Sequence, residues 1–294
     1  MSIIIGVLEE GLIYAIMSLG VYITYKILDF PDLSVDGTFP MGAALTAALI
    51  LKGLPPVLIL LIAFLAGALA GIITGLIHVK LKVRDLLSGI IMMTALYSIN
   101  LRIAGKANLP IFSKETIFDN TWLNEIVPET LVPYQVVIIL LVIVVICKVL
   151  LDWYLQTRSG YLLRAVGDND VLVTSLAKDK GVVKIVGLAI ANGFAALAGC
   201  VYCQQKSFFE ISIGTGTMVI GLASVIIGTK VFNRFGFLKA TTAVILGSIV
   251  YKACVSIAIA MGMEPSDLKL ITSILFLLIL VFSNQKEKKV KAHA

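Results

Sequence analysis

Charge is scarce in this sequence: Asp, Glu, Lys and Arg together make up 14% of 294 residues, against 59% hydrophobic residues. With a mean hydropathy of +1.00, that balance excludes a water-soluble globular fold, because too little charge remains to coat a soluble surface. Histidine is nearly absent. His78 and His293 stand far apart beside basic clusters, so neither a His-based metal site nor a Ser-His-Asp arrangement is in view. The four cysteines, Cys147, Cys200, Cys203 and Cys254, all fall inside apolar runs and imply no disulfide framework. Cys200 and Cys203 form a C-x-x-C pair without a second pair or a nearby His, a pattern that favours packing over metal or redox use. "GTGT" at 214–217 has no following G-K-[ST], so the chain lacks a phosphate-binding loop and cannot hydrolyse ATP itself. No catalytic residue and no metal ligand is assigned, and the chain is not expected to be an enzyme.

What fills the sequence instead is long apolar runs, each near the roughly 20 residues a helix needs to cross the hydrocarbon. Runs such as Val136 to Cys147 are apolar on every face, whereas barrel strands would alternate, so the fold expected is all-α, a polytopic transmembrane helical bundle. About nine spans are expected, near 6–25, 40–51, 56–79, 86–104, 134–154, 184–205, 216–230, 237–261 and 267–282. They form a single transmembrane domain over 1–294, surrounded by membrane lipid. The first run has no basic leader and no small-residue cleavage site, and reads as a retained span. Lys and Arg concentrate after the third, fifth, seventh and ninth runs, which places those loops in the cytoplasm. The N-terminus is then outside, 105–133 forms an extracellular loop, 156–184 is cytoplasmic and 283–294 is a basic cytoplasmic tail. The net charge of +6 follows from this asymmetry and calls for no nucleic-acid partner.

One run is too short. Met41 to Leu51, only 11 residues, extends about 17 Å before Lys52, Gly53, Pro55 and Pro56 end it. Ahead of it, "LDFPDLSVDGTFP" carries Asp29, Asp32 and Asp36 with two prolines and a glycine, and so lies partly at membrane depth as a broken second helix. Irregular backbone at that depth must be buried in protein or line a water-filled cavity, and broken helices mark the substrate path of many transporters. Asp32, Ser34, Asp36 and Thr38 are therefore candidate path residues, with Asn100 in the fourth run and Lys252 in the eighth; the alternative is an ordinary cytoplasmic turn before a tilted short helix. Lys252 faces either a partner carboxylate or the path. Ala63, Gly67, Gly71 and Gly75 recur every four residues and make a smooth stripe for close helix packing.

The charged loop "RSGYLLRAVGDNDVLVTSLAKDKG" stands alone in the middle of the chain. Asp168, Asn169 or Asp170 can cap a short helix beginning near "VLVTSLA", and Gly181 supplies a stop. A short amphipathic helix on the cytoplasmic face fits a groove on a soluble protein; the alternative is a solvated connector. "TRSGYLLRAVGDNDVLVTSLAKDKGV" followed by "GLAIANGFAALAGCVYCQQ" resembles the cytoplasmic signature of permease subunits in ABC importers of the branched-chain amino acid and ribose type. The matching positions are Gly160, Arg164, Ala165, Val166, Gly167, Asp168, Asn169, Gly181, Ala196, Leu197, Ala198 and Gly199; "IGLASVIIGTKVF" and the broken second helix extend the match over most of the chain.

The resemblance implies that the region 164–177 is a coupling helix docked on an ATPase subunit, with Gly160, Asp170 and Gly181 at the same interface. It further implies ATP and Mg bound by that ATPase and no cofactor in this chain. A second permease chain, most simply an identical one, and an external substrate-binding protein or lipoprotein complete the assembly, in a bacterial cell membrane. "ILDFPDLSVDGTFPMGAA" and "SGIIMMTALYSINLRIAGKANLP" resemble a narrower branch linked to tryptophan or tyrosine uptake, which makes an aromatic amino acid the expected solute. Alternatives are another small solute (a sugar, nucleoside or branched-chain amino acid) and an ion-coupled secondary transporter using Asp32, Asp36 and Lys252.

Overall fold

A computed structural model describes residues 2–120, 128, 131–168, 179–232 and 238–262, with isolated positions between 267 and 281. The chain begins with α1 (Ser2–Val21), which runs on through a π-helical turn (Tyr22–Ile27). There follow α2 (Val35–Leu51), α3 (Pro56–Val79), α4 (Asp85–Ala104), α5 (Gln135–Leu155), α6 (Arg158–Asp168), α7 (Lys180–Lys206), α8 (Thr217–Val231) and α9 (Ala240–Ala260). Seven of these helices, α1, α3, α4, α5, α7, α8 and α9, counted with their flanking turns, are long and apolar enough to cross a membrane. The short apolar α2 corresponds to the second expected run, which brings the described runs to eight. The ninth, 267–282, falls largely outside the described residues, as does the expected helix at 171–177.

Helix ends follow local chemistry. Pro56 opens α3 at a position where its missing N–H costs nothing. Gly105, at φ 72°, closes α4 in the left-handed conformation that a helix end favours. Asp179 caps α7 by accepting a 2.8 Å hydrogen bond from the Gly181 amide, so Gly181 sits in the first turn of the following helix, where it was expected to stop the preceding one. The second helix starts at Val35, five residues before the expected start at 40, and includes Pro40 in its interior. At 17 residues it spans about 26 Å, still short of the hydrocarbon thickness. The irregular segment thereby shrinks to 28–34.

The bundle is assembled on α7. Both α2 and α3 pack along it, and they do so backbone to backbone. A Cβ on Gly42 or Gly199 would strike the facing carbonyl of Ala196 or Phe39 across the α2–α7 contact. The predicted stripe on α3 meets α7 in the same way: Gly67 lies on Asn192, Gly71 on Leu188 and Gly75 on Ile185. In a membrane, close packing of this kind replaces the hydrophobic driving force that lipid removes.

Contacts between loops define two ends of the bundle. At one end Asp152 accepts from Lys148 at 2.9 Å, Thr241 at 2.7 Å and Lys239 at 3.3 Å, and Gly181 lies against Val79. At the other, an element absent from the all-α expectation joins two loops: β1 (Asn108–Pro110) pairs antiparallel with β2 (Phe208–Glu210). Three-residue strands carry too little alternation to be read from sequence. The Gln204 carboxamide ties the same end, accepting from the Ile117 amide at 3.0 Å. Among the described residues, the basic loops after α3, α5 and α8 thus share one end.

Gly199→Val is expected to separate α2 from α7 and cost about 1–3 kcal/mol, the usual penalty of overpacking. Thermal unfolding followed by size-exclusion chromatography should show a clear drop in midpoint for Gly199→Val. It should show little change for Gly6→Ala, where a Cβ meets nothing within 4 Å.

Candidate functional site

The site grows from the break between α1 and α2. Asp29 adopts a left-handed φ of 51°, and Pro31 follows, so the helix cannot continue. The Leu28 and Phe30 amides still bond back to the Ile23 and Thr24 carbonyls at 2.9 and 2.8 Å. Beyond them Asp32 folds onto its own backbone, Oδ1 accepting the Ser34 amide at 2.9 Å. Its other oxygen, Oδ2, accepts from Asn192 Nδ2 at 2.8 Å.

Asn192 is the residue that the sequence reading passed over. Its side chain uses all four of its hydrogen-bonding positions. Nδ2 donates to Asp32 and to the Leu188 carbonyl at 3.1 Å, while Oδ1 accepts from Ser34 Oγ at 3.0 Å and Thr38 Oγ1 at 2.7 Å. Asp32, Ser34, Thr38 and Asn192 are all fully buried. Asn192 is the thirteenth of the 27 residues of α7 and lies on Gly67, the twelfth of the 24 residues of α3, so this knot sits halfway along two membrane-length helices. The segment lies level with the middle of those helices, and its polar side chains Asp32, Ser34 and Thr38 are buried in protein. An Asn inside "GLAIANGFAALAG" was the available signal, since a polar residue in mid-span calls for a partner.

Asp36, in the first turn of α2, has a different task. Its Oδ1 accepts from the Met218 amide at 2.7 Å and Thr217 Oγ1 at 2.9 Å, and its Oδ2 from the Gly216 amide at 3.0 Å. It therefore caps α8 from another helix, meeting the partial positive charge of that helix start. Pro40 frees the Asp36 carbonyl from its helical partner, and Gly214 packs directly on that carbonyl and on the proline ring. Beside this junction opens a cavity of about 510 Å³ between α2, α4 and the turn at Ile211–Gly214, lined by Asp36, Asn100, Thr94, Tyr97, Ser98 and Thr215 among others. Asn100 donates to the Gly37 carbonyl at 3.0 Å. Thr94, Tyr97 and Ser98 are exposed along one face of α4, a polar strip on a helix of membrane length.

The remaining candidates lie elsewhere. Lys252 is brought to a carboxylate: Glu10 accepts from it at 3.1 Å and from Lys206 at 3.0 Å, and the Lys252 ammonium also lies 4.1 Å from the centre of the Tyr14 ring. It lines a separate cavity of about 390 Å³ between α1 and α9, so of the two readings of Lys252 the partner carboxylate is the observed one. In the charged loop, Gly160, Arg164, Ala165, Val166, Gly167 and Asp168 belong to α6, a helix that starts earlier than expected; Asn169 and Asp170 lie outside the described residues. The glycines there serve packing within the chain. Gly160 lies on Tyr154 and Leu155, and Gly167 on the Ile27 carbonyl and Leu28, while Val166 is buried. Ala165 is half-buried and Arg164 is exposed. Cys200 and Cys203 are buried and free, and the described residues contain no group of three or more His, Cys, Asp or Glu able to hold a metal.

Two outcomes check this geometry. Asn192→Leu should destabilise the fold by roughly 1–3 kcal/mol or more, because it strands the Asp32 carboxyl, and the double change Asp32→Ala/Asn192→Leu should recover part of that loss in a thermal-unfolding cycle. Cysteines at Ser34 and Thr38 should resist a membrane-impermeant thiol reagent under conditions where cysteines at Thr94 and Ser98 react.

Known proteins share the sequence of this chain over most of its length. The family model described as branched-chain amino acid transport system / permease component matches residues 3–283. A tyrosine transport system permease protein of Clostridioides difficile (strain R20291) is 47% identical over 284 residues, covering 97% of this chain and 92% of the relative. A ribose import permease protein of Escherichia coli (strain K12) is 22% identical over 285 residues, covering 96% of this chain and 85% of the relative. No solved structure matches significantly. A polytopic bundle whose whole length answers to one family model is a multi-pass membrane protein, and the chain belongs to the permease component family of the branched-chain amino acid transport systems.

Proposed function

We propose that the chain is the membrane subunit of an ATP-driven importer for a small solute, an amino acid with an aromatic side chain such as tyrosine or tryptophan. The observation that carries the reading is the cavity between α2 and α4. Its wall joins a carboxylate, an amide, hydroxyls and a phenol on helices of hydrocarbon length, and the exposed Thr94, Tyr97 and Ser98 face is costly against lipid. A second copy of the chain facing that strip would close the cavity into a path between two subunits. The family match supports an importer subunit, and the identity to a tyrosine transport system permease supports the solute.

The driving force comes from outside the chain, on an ABC ATPase that binds ATP and Mg. An external binding protein or lipoprotein delivers the solute. The basic end of the bundle faces the cytoplasm, with the first helix starting outside and the chain ending inside. On that end α6 presents Arg164 outward and Gly167 inward. Gly167 touches Ile27 and Leu28, Leu28 and Leu163 both touch Gly187 of α7, and the segment 28–34 that starts there carries Asp32. A push on α6 thus reaches the break in the helix within one layer of contacts, and from there α2 and the cavity wall. The ATPase biases the membrane subunit between outward-open and inward-open states by binding the two with different affinity.

Reconstitution in liposomes with the ATPase encoded beside the gene and the matching binding protein tests the reading. Uptake of labelled tyrosine should require ATP on the ATPase side. Arg164→Glu should uncouple ATP hydrolysis from uptake or release the ATPase, while the permease itself elutes and melts as the wild type does. A permease that never associates with that ATPase, or an Arg164→Glu variant with normal assembly and uptake, contradicts the assignment.

A further inference from the structure

The cavity has a chemical sign. Among its described lining residues there is a carboxylate, Asp36, and there is no Lys, Arg or His. Asp36 is half-buried, makes no ion pair among the described residues, and receives three hydrogen bonds, two on Oδ1 and one on Oδ2. A carboxylate offers about four acceptor positions, so Oδ2 keeps one. Asn100 stands on the same wall, locked by its donation to the Gly37 carbonyl, and its Oδ1 is a buried acceptor with no hydrogen-bond partner. An orphaned buried acceptor on the same wall as a carboxylate with no cation against it calls for a donor that the described residues do not supply. Thr94 Oγ1 already donates to the Ile90 carbonyl at 2.8 Å, which leaves its lone pairs for the cavity. Tyr97 adds an exposed aromatic face at the same level of α4.

We propose that this wall is an ammonium-recognition subsite: Asp36, with Asn100 Oδ1 behind it, receives the protonated amine of the solute while its ring lies against Tyr97. This rests on the importer reading and names the group of the solute that the membrane subunit itself senses. Its selectivity is for a primary ammonium on an aromatic side chain, and the solute carboxylate is left to neutral hydroxyls such as Ser98 and Thr215. The helix start at Thr217 partly offsets the Asp36 charge, so the amine is held loosely enough to leave, as a path requires.

Saturation-transfer NMR on the purified full-length permease, without its partners, reads the subsite directly. The probes are tyramine, which has the amine and no carboxylate, and 3-(4-hydroxyphenyl)propanoate, which has the carboxylate and no amine. Wild-type protein should bind tyramine at least about tenfold more tightly, the scale of one hydrogen bond to a charged group. Asp36→Asn keeps one acceptor oxygen for the Thr217 and Met218 bonds of the α8 cap, gives up the bond from the Gly216 amide, and should erase that preference. Ser98→Lys, at an exposed position on the same wall, should erase or reverse it by placing a fixed cation there, and it serves if the Asp36 variant does not fold. Equal binding of the two probes to wild type, or a tenfold preference that survives Ser98→Lys, overturns the subsite. ATP-dependent tyrosine uptake in the reconstituted system separates the two ideas: uptake without amine preference removes the subsite alone, and amine preference without uptake removes the importer reading alone.

Discussion

The structure depends on what happens when a helix is broken at membrane depth. There, every freed polar group must find a partner inside the protein, because lipid offers none. The Asn192 carboxamide meets that demand by spending both donors and both acceptors on the break, tying Asp32, Ser34 and Thr38 of one segment to the middle of α7. Glycines let the backbones come close enough for the bonds to form: Gly67 admits Asn192 to α3, and Gly42 and Gly199 seat α2 on α7. Asp36 performs the same service for α8, whose first amides would otherwise be stranded in mid-bundle.

These interactions make the break rigid and place the cavity beside it. The polar knot is closed and internally satisfied, while the half-buried Asp36, one turn from Asp32, lines the cavity with the buried Asn100 on the same wall. One short segment therefore divides a structural carboxyl, Asp32, from a cavity-lining one, Asp36. The α6 helix, packed through Gly167 on the residue that begins the break, is well placed to move the segment as a unit. At the opposite end the Glu10, Lys206 and Lys252 cluster and the β1–β2 pair tie α1, α7 and α9 and the connecting loops together, so motion at the basic end works against a braced far end.

Much of this was legible in the sequence because hydrocarbon imposes a length rule. The apolar runs gave the helices, and the short run after "LDFPDLSVDGTFP" gave the break, since neither signal depends on distant contacts. The start of α2 was misplaced because Val35 to Pro40 contains a proline and a glycine that normally end helices; Gly216, 180 residues away, bonds to Asp36 of that segment and Gly214 packs on it, and no local rule reports it. The roles of the three loop carboxylates were not separable either. Asp32 and Asp36 differ only in which distant donor each meets, Asn192 or the start of α8. Lys252 was visible as a buried cation, but its partner Glu10 stood 242 residues earlier among residues read as the outer end of the first span. The glycines of the charged loop matched a family signature, and the structure shows what Gly160 and Gly167 touch: the chain's own helices.

The central claim is that nucleotide-driven movement at α6 changes the cavity through the break in the helix. The most direct measurement is the distance across the cavity between spin labels at Thr94 and Thr215, both exposed, in the fully assembled transporter. Pulsed electron resonance should show that distance distribution shifting between nucleotide-free and ATP-bound states. A distribution indifferent to nucleotide, in a complex that still hydrolyses ATP and transports, would contradict the account.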